Sequence, residues 1–315
     1  MIKENTLRTQ LYIREGGKCV KWHPLCIQCA VRVAYDLAVE STDDEELHRR
    51  AVVDTVNLLS NILNQEEDVT PAKLLTHVFR LVQKITGNSD PFRELRKEFN
   101  KTALSLIPFL EKEFKKREKE KSFEDAFRFA VLGAVYGNYL NYKASPKDIE
   151  KFLMDYLKED LAIDDVPKLM NALSKAKNVL YLTDNAGEIV FDKFLVNVIT
   201  KHYPVNVVVA VKSTPILNDA ILDDALQIGL MDVAKVITGC SSVGLHLEDC
   251  SEEFLEHLEK ADIIIAKGQG HYESLSQEHA HIVRKPIVYL LKVKCRVIAG
   301  SLGVSKGANI VKIIS

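Results

Sequence analysis

From about Cys26 to Leu157 apolar side chains recur at three- and four-residue spacings, as in Val53, Val56, Leu59 and Ile62 and again in Leu74, Leu75, Val78 and Leu81. Such spacing lines one face of a helix, so this half of the chain is expected to be helical. Breaks are expected at Gly87-Asn88-Ser89-Asp90-Pro91, at the charged stretch Glu111–Lys121, and at Ser145-Pro146 ahead of a further helix. The stretch Glu111–Lys121 mixes both signs of charge and reads as a solvated helix face with no binding role. After roughly residue 175 the rhythm changes to short β-branched runs separated by helical patterns: Asn178–Thr183, Val205–Val211, Lys235–Thr238, Asp262–Ala266, Pro286–Lys292 and Asn309–Ile314.

Strands alternating with helices make a parallel sheet covered on both faces, and such sheets bind ligands at the carboxyl ends of their strands. The expected class is α/β, with residues 1–170 forming a mainly helical domain and 171–315 an α/β domain that carries the site. A length of 315 residues agrees with two domains. No internal repeat or low-complexity segment competes with this organisation.

Composition narrows the function. Hydrophobic residues make up 47% and charged residues 27%, as in an ordinary globular chain. Lys and Arg number 42 against 44 Asp and Glu, a net charge of −2, so no positive field exists to hold nucleic acid or an anionic membrane. Apolar runs such as Val205–Val211 are far shorter than the roughly 20 residues a bilayer span needs, and Met1–Gln10 does not resemble a secretory signal. A cytoplasmic protein is therefore expected, with its six cysteines reduced. Oligomeric state is not legible.

The segments that follow the expected strands carry the chemistry. Asp184, Asn185, Gly187 and Glu188 follow the first. Lys212 to Pro215 and then Asn218 and Asp219 follow the second, Lys267 to His271 the fourth, and Lys294 and Cys295 the fifth. Asp184, Asn185 and Asp219 form a hard-oxygen set suited to magnesium or manganese, although Asp184 could equally cap a helix and Asn185 make a turn. Lys212, Lys267 and Lys294 on one edge favour an anionic substrate, with Gly187, Gly268 and Gly270 allowing close backbone approach.

These residues resemble the DUF89, or ARMT1-like, family of metal-dependent damage-control phosphatases, in its Cys-x-x-Cys-containing prokaryotic form. The resemblance rests on Asp184-Asn185-Ala186-Gly187-Glu188, on Lys212 through Asp219, on Lys267-Gly268-Gln269-Gly270 with Tyr272-Glu273, and on Lys294-Cys295 before Ala299 and Leu302-Gly303-Val304. Gly137-Asn138 and Cys26-Ile27-Gln28-Cys29 with Arg32 extend it into the helical half. It implies a helical N-terminal domain packed on a Rossmann-like, three-layer α/β domain. It also implies a divalent ion (manganese, nickel, cobalt or magnesium) on Asp184, Asn185 and Asp219. Substrate contacts would come from Asn138, Lys212, Asn218, Gly268, Gln269, Gly270, His271, Tyr272 and Glu273. Three positions depart from the family pattern: His271 replaces an Asn, Asn141 an Asp and Val33 a Gln. An imidazole at 271 differs from an amide in size and can become charged near neutral pH.

The expected activity is hydrolysis of phosphomonoesters of small metabolites, either sugar phosphates or phosphorylated cofactor-related compounds, in metabolite damage control. Lys267 or Lys294 would stabilise the phosphoryl oxygens, and Glu188 would handle the water proton or orient a ligand; the nucleophile is water or Asp184. Two alternatives are an S-adenosylmethionine-dependent carboxyl methyltransferase and a noncatalytic phosphometabolite sensor. Against the first, Asp184–Glu188 is not a glycine-rich nucleotide turn. Cys19, His23, Cys26 and Cys29 lack the second pair of a convincing zinc site. Pro24 suggests a helix start that could lower a thiolate pKa, the other reading being a structural thiol pair packed under the helix. Cys240, Cys250 and Cys295 are expected as separate, buried, inert thiols, and of the nine histidines only His271 has a positional reason to matter.

Overall fold

A computed structural model describes residues 20–65, 69–136, 146–275 and 285–314. The helical half comprises α1 (Pro24–Ser41), α2 (Glu45–Gln65), α3 (Pro71–Thr86), α4 (Arg93–Leu104), α5 (Ile107–Glu120), α6 (Phe123–Tyr136) and α7 (Pro146–Tyr156). Local chemistry sets several ends. Thr70 caps α3 by accepting from the Lys73 amide at 3.0 Å, Pro71 opens it without a donor to waste, and Gly87 closes it in the left-handed region. Pro146 likewise opens α7 where a helix start was expected.

The expected break at Glu111–Lys121 is not present, because α5 runs through the stretch to Glu120. Its charges are solvated as expected, but Leu110 and Phe114 lie four apart and bury against the sheet-side core, and that apolar stripe keeps the segment helical.

The second half contributes β1 (Leu161–Asp164), α8 (Val166–Leu173), β2 (Asn178–Leu182), α9 (Glu188–His202), β3 (Asn206–Val211), α10 (Leu222–Gln227) and β4 (Lys235–Thr238). It continues through α11 (Glu252–Lys260), β5 (Ile263–Lys267), α12 (Gly268–Ser274), β6 (Ile287–Lys292), α13 (Arg296–Leu302) and β7 (Asn309–Ile314). All six expected strands form, and β1 joins them as an unanticipated edge strand. The sheet order is β1-β7-β6-β5-β2-β3-β4, parallel throughout except for the antiparallel pair β6·β7.

Along β2, β3 and β5 successive side chains enter opposite cores. Val179, Tyr181, Val209, Ile263 and Ile265 face α4, α5, α6 and α9, while Leu180, Leu182, Ala210, Ile264 and Ala266 face α11 and α12. Each buried aliphatic chain of this size contributes about 1.5–3 kcal/mol, and covering both faces explains why the strands read as continuous apolar runs. A third core joins α1, α2 and α3 to Ile216 and Val243, two residues from loops at the carboxyl edge of the sheet.

The chain leaves β2 toward β3 and β4 on one side, then crosses to β5 and β6 on the other. The direction of winding therefore reverses between β2 and β5, where a doubly wound sheet opens a ligand crevice.

α4 ties the helical half to this edge. Buried Arg96 grips Asp90 at 2.6 and 2.9 Å and Asp224 at 3.1 Å, and Asn100 holds Asp224 at 2.8 Å while its Oδ1 accepts the Gly187 amide at 2.7 Å. Arg96→Ala would leave Asp224 buried without its cation, so chemical denaturation should show a loss of about 3–5 kcal/mol; a loss below about 1 kcal/mol would contradict the pairing.

Candidate active site

The turns after β2 and β3 are knitted together by backbone bonds. The Ala186 amide donates to the Asn218 carbonyl at 3.0 Å and the Ala220 amide to the Asp184 carbonyl at 2.8 Å, placing Asn185 opposite Asp219 in an isolated antiparallel bridge. Leu217, two residues before Asp219, has a φ of 49°, a left-handed conformation that a branched side chain adopts only when its surroundings impose it. Asp184, Asn185 and Asp219 thus come together from two different connections.

Asn185 Nδ2 donates to Asp184 Oδ2 at 2.7 Å and to Glu188 Oε1 at 2.8 Å. Carboxylates accept only, so these bonds settle which end of the amide is nitrogen and leave Oδ1 turned away from both. Behind them lies Lys267, with no exposed surface. Its ammonium meets Glu188 at 2.9 Å and Asp192 at 3.0 Å. Asp192 Oδ1 also accepts from the Tyr181 hydroxyl at 2.7 Å, while Asp192 Oδ2 is buried with no hydrogen-bond partner. Glu188 and Asp192 lie one helical turn apart on α9, a like-charge arrangement that only the intervening ammonium makes tolerable.

The carboxyls register the imbalance. Loss of hydration and then the neighbouring Glu188 raise Asp184 to about 6; loss of hydration, opposed by Lys212, raises Asp219 to about 7; and burial, opposed by Lys267, raises Asp192 to about 6. Fully ionised, Asp184, Glu188, Asp192 and Asp219 outnumber the buried ammonium groups of Lys212 and Lys267 by two, and with Lys294 at the rim counted one negative charge is still in excess, a balance that favours a bound cation. Two carboxylates and an amide oxygen suit a hard ion, and the residues fit one. Among the described residues no three His, Cys, Asp or Glu side chains converge as a metal cluster, so the candidate set rests on two carboxylates and an amide oxygen.

The other expected site residues divide by position. Lys212 is turned inward: its ammonium donates to the carbonyls of Ser242 at 2.8 Å and Gly244 at 2.6 Å and lies 3.5 Å from Asp219. Lys294 is exposed at the rim, and its charge acts on Asp184, Asp219 and Glu273. A small cleft is lined in part by Val135, Asp184, Glu188, Gly268, Lys292 and Lys294. Gln269 donates to Glu273 at 2.8 Å and accepts from the Lys294 amide at 3.0 Å, so it ties α12 to the segment after β6. Asn218 is half-buried beside Asp219, and Gly270 packs on Val243 and Gly244. Tyr272 lies in the core, its ring edge-on to Tyr289. Asn138 and Asn141 lie outside the described residues.

Two expectations about charge and cysteine change. His271 is buried with Nδ1 2.7 Å from the Lys267 carbonyl, and burial holds it near 3, so it stays neutral and does not become charged near neutral pH. Cys240 and Cys250 are not separate thiols: they form a disulfide. The loop between β4 and α11 doubles back so that the two residues face each other in an antiparallel bridge, a closure invisible in their spacing.

Cys295 is half-buried and caps α13, accepting from the Ile298 amide at 3.5 Å, instead of lying inert in the core. α1 does start at Pro24, but burial pushes the Cys26 thiol up, and Cys29 is exposed and so not packed under the helix. Cys19 lies outside the described residues. Sequence reasoning missed Asp192, whose signal was available: an acidic residue four positions after Glu188, within the mainly apolar run Ile189–Val196 of the same helix, must be paired if that face is buried.

Fold and site together define an α/β protein with a carboxylate-rich site at the switch point of a mainly parallel sheet. Residues 22–310 match the model of the damage-control phosphatase ARMT1-like domain, and the chain belongs to that family; it is a phosphatase. An uncharacterized protein of Methanocaldococcus jannaschii is 40% identical, over 95% of this chain and 98% of its own. A damage-control phosphatase of Pyrococcus horikoshii is 36% identical, over 90% of this chain and 94% of its own. The crystal structure of a DUF89 family protein from Pyrococcus horikoshii superposes with a TM-score of 0.78 at 34% identity, over 92% of this chain and 98% of that one.

Gly268 has a φ of +79°, and a Cβ there would stand 2.0 Å from Asp184 Oδ2. Gly268→Ala should therefore displace Asp184 and lower kcat/KM by roughly 10²-fold, the scale of an ångström-sized misplacement; steady-state assays showing near wild-type turnover would refute the contact. Burial raises Glu273 from 4.5 to about 7. The folded state then holds a proton that the unfolded state has lost, so this group's contribution to stability is present below pH 4.5 and lost as pH rises to 7. Unfolding free energies measured across that window should fall more steeply for the wild type than for Glu273→Gln.

Proposed function

We propose that this phosphatase hydrolyses phosphomonoesters of small metabolites, sugar phosphates or phosphorylated cofactor-related compounds, with a divalent ion held by Asp184, Asn185 and Asp219. The observation that carries the reading is the convergence of those three residues from the β2–α9 and β3–α10 connections, beside buried carboxylates that outnumber the buried ammonium groups of Lys212 and Lys267 by two. Manganese, nickel, cobalt or magnesium fits the donor set. Bound there, the ion supplies Lewis acidity at a phosphoryl oxygen.

The chain's own residues do the rest. Asp184 Oδ2 is bonded to Asn185 and packed against Gly268, which favours water over Asp184 as the attacking group. Both Glu188 oxygens are engaged, so Glu188 orients Asn185 and does not carry the water proton. Lys267 and Lys212 act from within, on Glu188 and Asp192 and on the loop 242–244 carbonyls respectively, and Lys294 at the rim meets the phosphoryl group. The polar residues of the working site lie between residues 184 and 295, while the helical segment before residue 170 adds Val135 to the cleft wall and braces the site through Thr76, Arg80 and Asn100.

A cytoplasmic location belongs to this reading. No described helix is long and apolar enough to cross a membrane.

Stripping the protein with chelator should abolish phosphate release, and one of the four ions added singly should restore it; undiminished hydrolysis by metal-free protein would refute the ion's role. Asp219→Asn should depress activity at limiting metal and recover as metal is raised. Lys294→Met should lose about 2–4 kcal/mol in kcat/KM whatever the metal concentration. Binding of phosphate esters without phosphate release would favour a sensor.

A further inference from the structure

We propose that Asp192, held by Tyr181, is a positioning residue for the phosphatase reaction: it anchors Lys267 so that Glu188 keeps one oxygen for Asn185 and the Asn185 Oδ1 stays directed to the cation. The inference rests on the reading that Asp184, Asn185 and Asp219 hold that cation. Its geometry is a chain of short contacts running from the core to the site: Tyr181 to Asp192 at 2.7 Å, Asp192 to Lys267 at 3.0 Å, Lys267 to Glu188 at 2.9 Å, and Glu188 to Asn185 at 2.8 Å.

The elements make this chain possible. Tyr181 on β2 and Lys267 at the end of β5 point to the sheet face that α9 covers, and Glu188 and Asp192 sit one turn apart on the facing side of α9. Without Asp192, Glu188 and then Asp184 would be the strongest anionic influences on the ammonium among the described residues. It would be drawn along the Glu188 carboxylate toward the oxygen that now orients Asn185.

The arrangement is costly as pure structure. Asp192 has no exposed surface, and its Oδ2 has no partner at all. A buried ion pair of this kind is commonly replaceable by apolar side chains without loss of stability, so an orphaned oxygen kept at the heart of α9 points to a task other than packing.

The test uses full-length protein, Mn²⁺ binding followed by the electron paramagnetic resonance of the free ion, and p-nitrophenyl phosphate as the phosphomonoester probe. Outer partners of metal ligands typically affect affinity or turnover by 10- to 100-fold. Asp192→Asn should therefore weaken Mn²⁺ binding about tenfold and lower kcat at saturating Mn²⁺ about tenfold, with KM for the ester nearly unchanged. Tyr181→Phe changes no charge and removes only the hydroxyl that holds Asp192. It should move both quantities in the same direction by about threefold, which a loss of net charge alone would not produce.

Wild-type Mn²⁺ affinity and kcat in folded Asp192→Asn, or a change confined to thermal stability, would overturn the proposal. If Asp192→Asn does not fold, Tyr181→Phe decides, and wild-type values there overturn it. Asp219→Asn separates the two levels. If it binds Mn²⁺ as the wild type does, the reading of the cation site fails and the proposal with it. If it alone weakens Mn²⁺ while the Asp192 and Tyr181 variants do not, only the positioning role fails.

Discussion

A lysine ammonium with no solvent contact, that of Lys267, holds the carboxyl edge of this protein together. Taking such a charge out of water costs several kcal/mol, recovered only because Glu188 and Asp192 stand 2.9 and 3.0 Å away. Those two carboxylates would repel each other one turn apart on α9 if the ammonium were missing. Through Glu188 the same charge orients Asn185, and through Asn185 it reaches Asp184. The order of the site therefore propagates outward from a buried cation rather than inward from solvent.

The backbone completes what the charges begin. The connections after β2 and β3 hydrogen-bond to each other across Asn185 and Asp219, and Leu217 is held in a left-handed conformation to let the second connection turn back. Lys212 performs the matching service on the far side: its ammonium gathers the carbonyls of Ser242 and Gly244 while lying beside Asp219. The loop bearing those carbonyls is closed by the Cys240–Cys250 disulfide and gripped from α3, where Thr76 accepts the Val243 amide and Arg80 donates to Ser241 and Asp249. The helical half is thus a clamp on the loops that shape the site, and its core reaches them directly through Ile216 and Val243.

Much of this was readable along the chain. The strands Lys235–Thr238 and Asn309–Ile314 fall where the β-branched runs place them, because a sheet covered on both faces demands apolar side chains at every position. The polar residues that matter follow the strands because the carboxyl ends of a doubly wound sheet are where backbone donors and open space coincide. Strand β1 was not legible: only four residues long and half exposed, it owes its extended form to pairing with β7 from the other end of the chain. Helix α5 was masked by its charges, since its two buried apolar residues gain meaning only from the core they meet.

Residue type and order determined which groups stand at the sheet edge; tertiary structure decided what each of them is. Lys212 and Lys267 read as surface cations for a phosphate, yet folding buries both and commits them to internal partners, while Lys294 stays at the rim. His271 reads as a residue that titrates near neutrality and folds into a site where it is neutral. Cys240 and Cys250 read as unrelated thiols and become one bond. Periodicity and propensity act over a few neighbouring residues and survive in the sequence, whereas charge state, side-chain direction and disulfide pairing depend on hydration and on distant partners, 79 positions apart for Lys267 and Glu188 and 128 for Arg96 and Asp224.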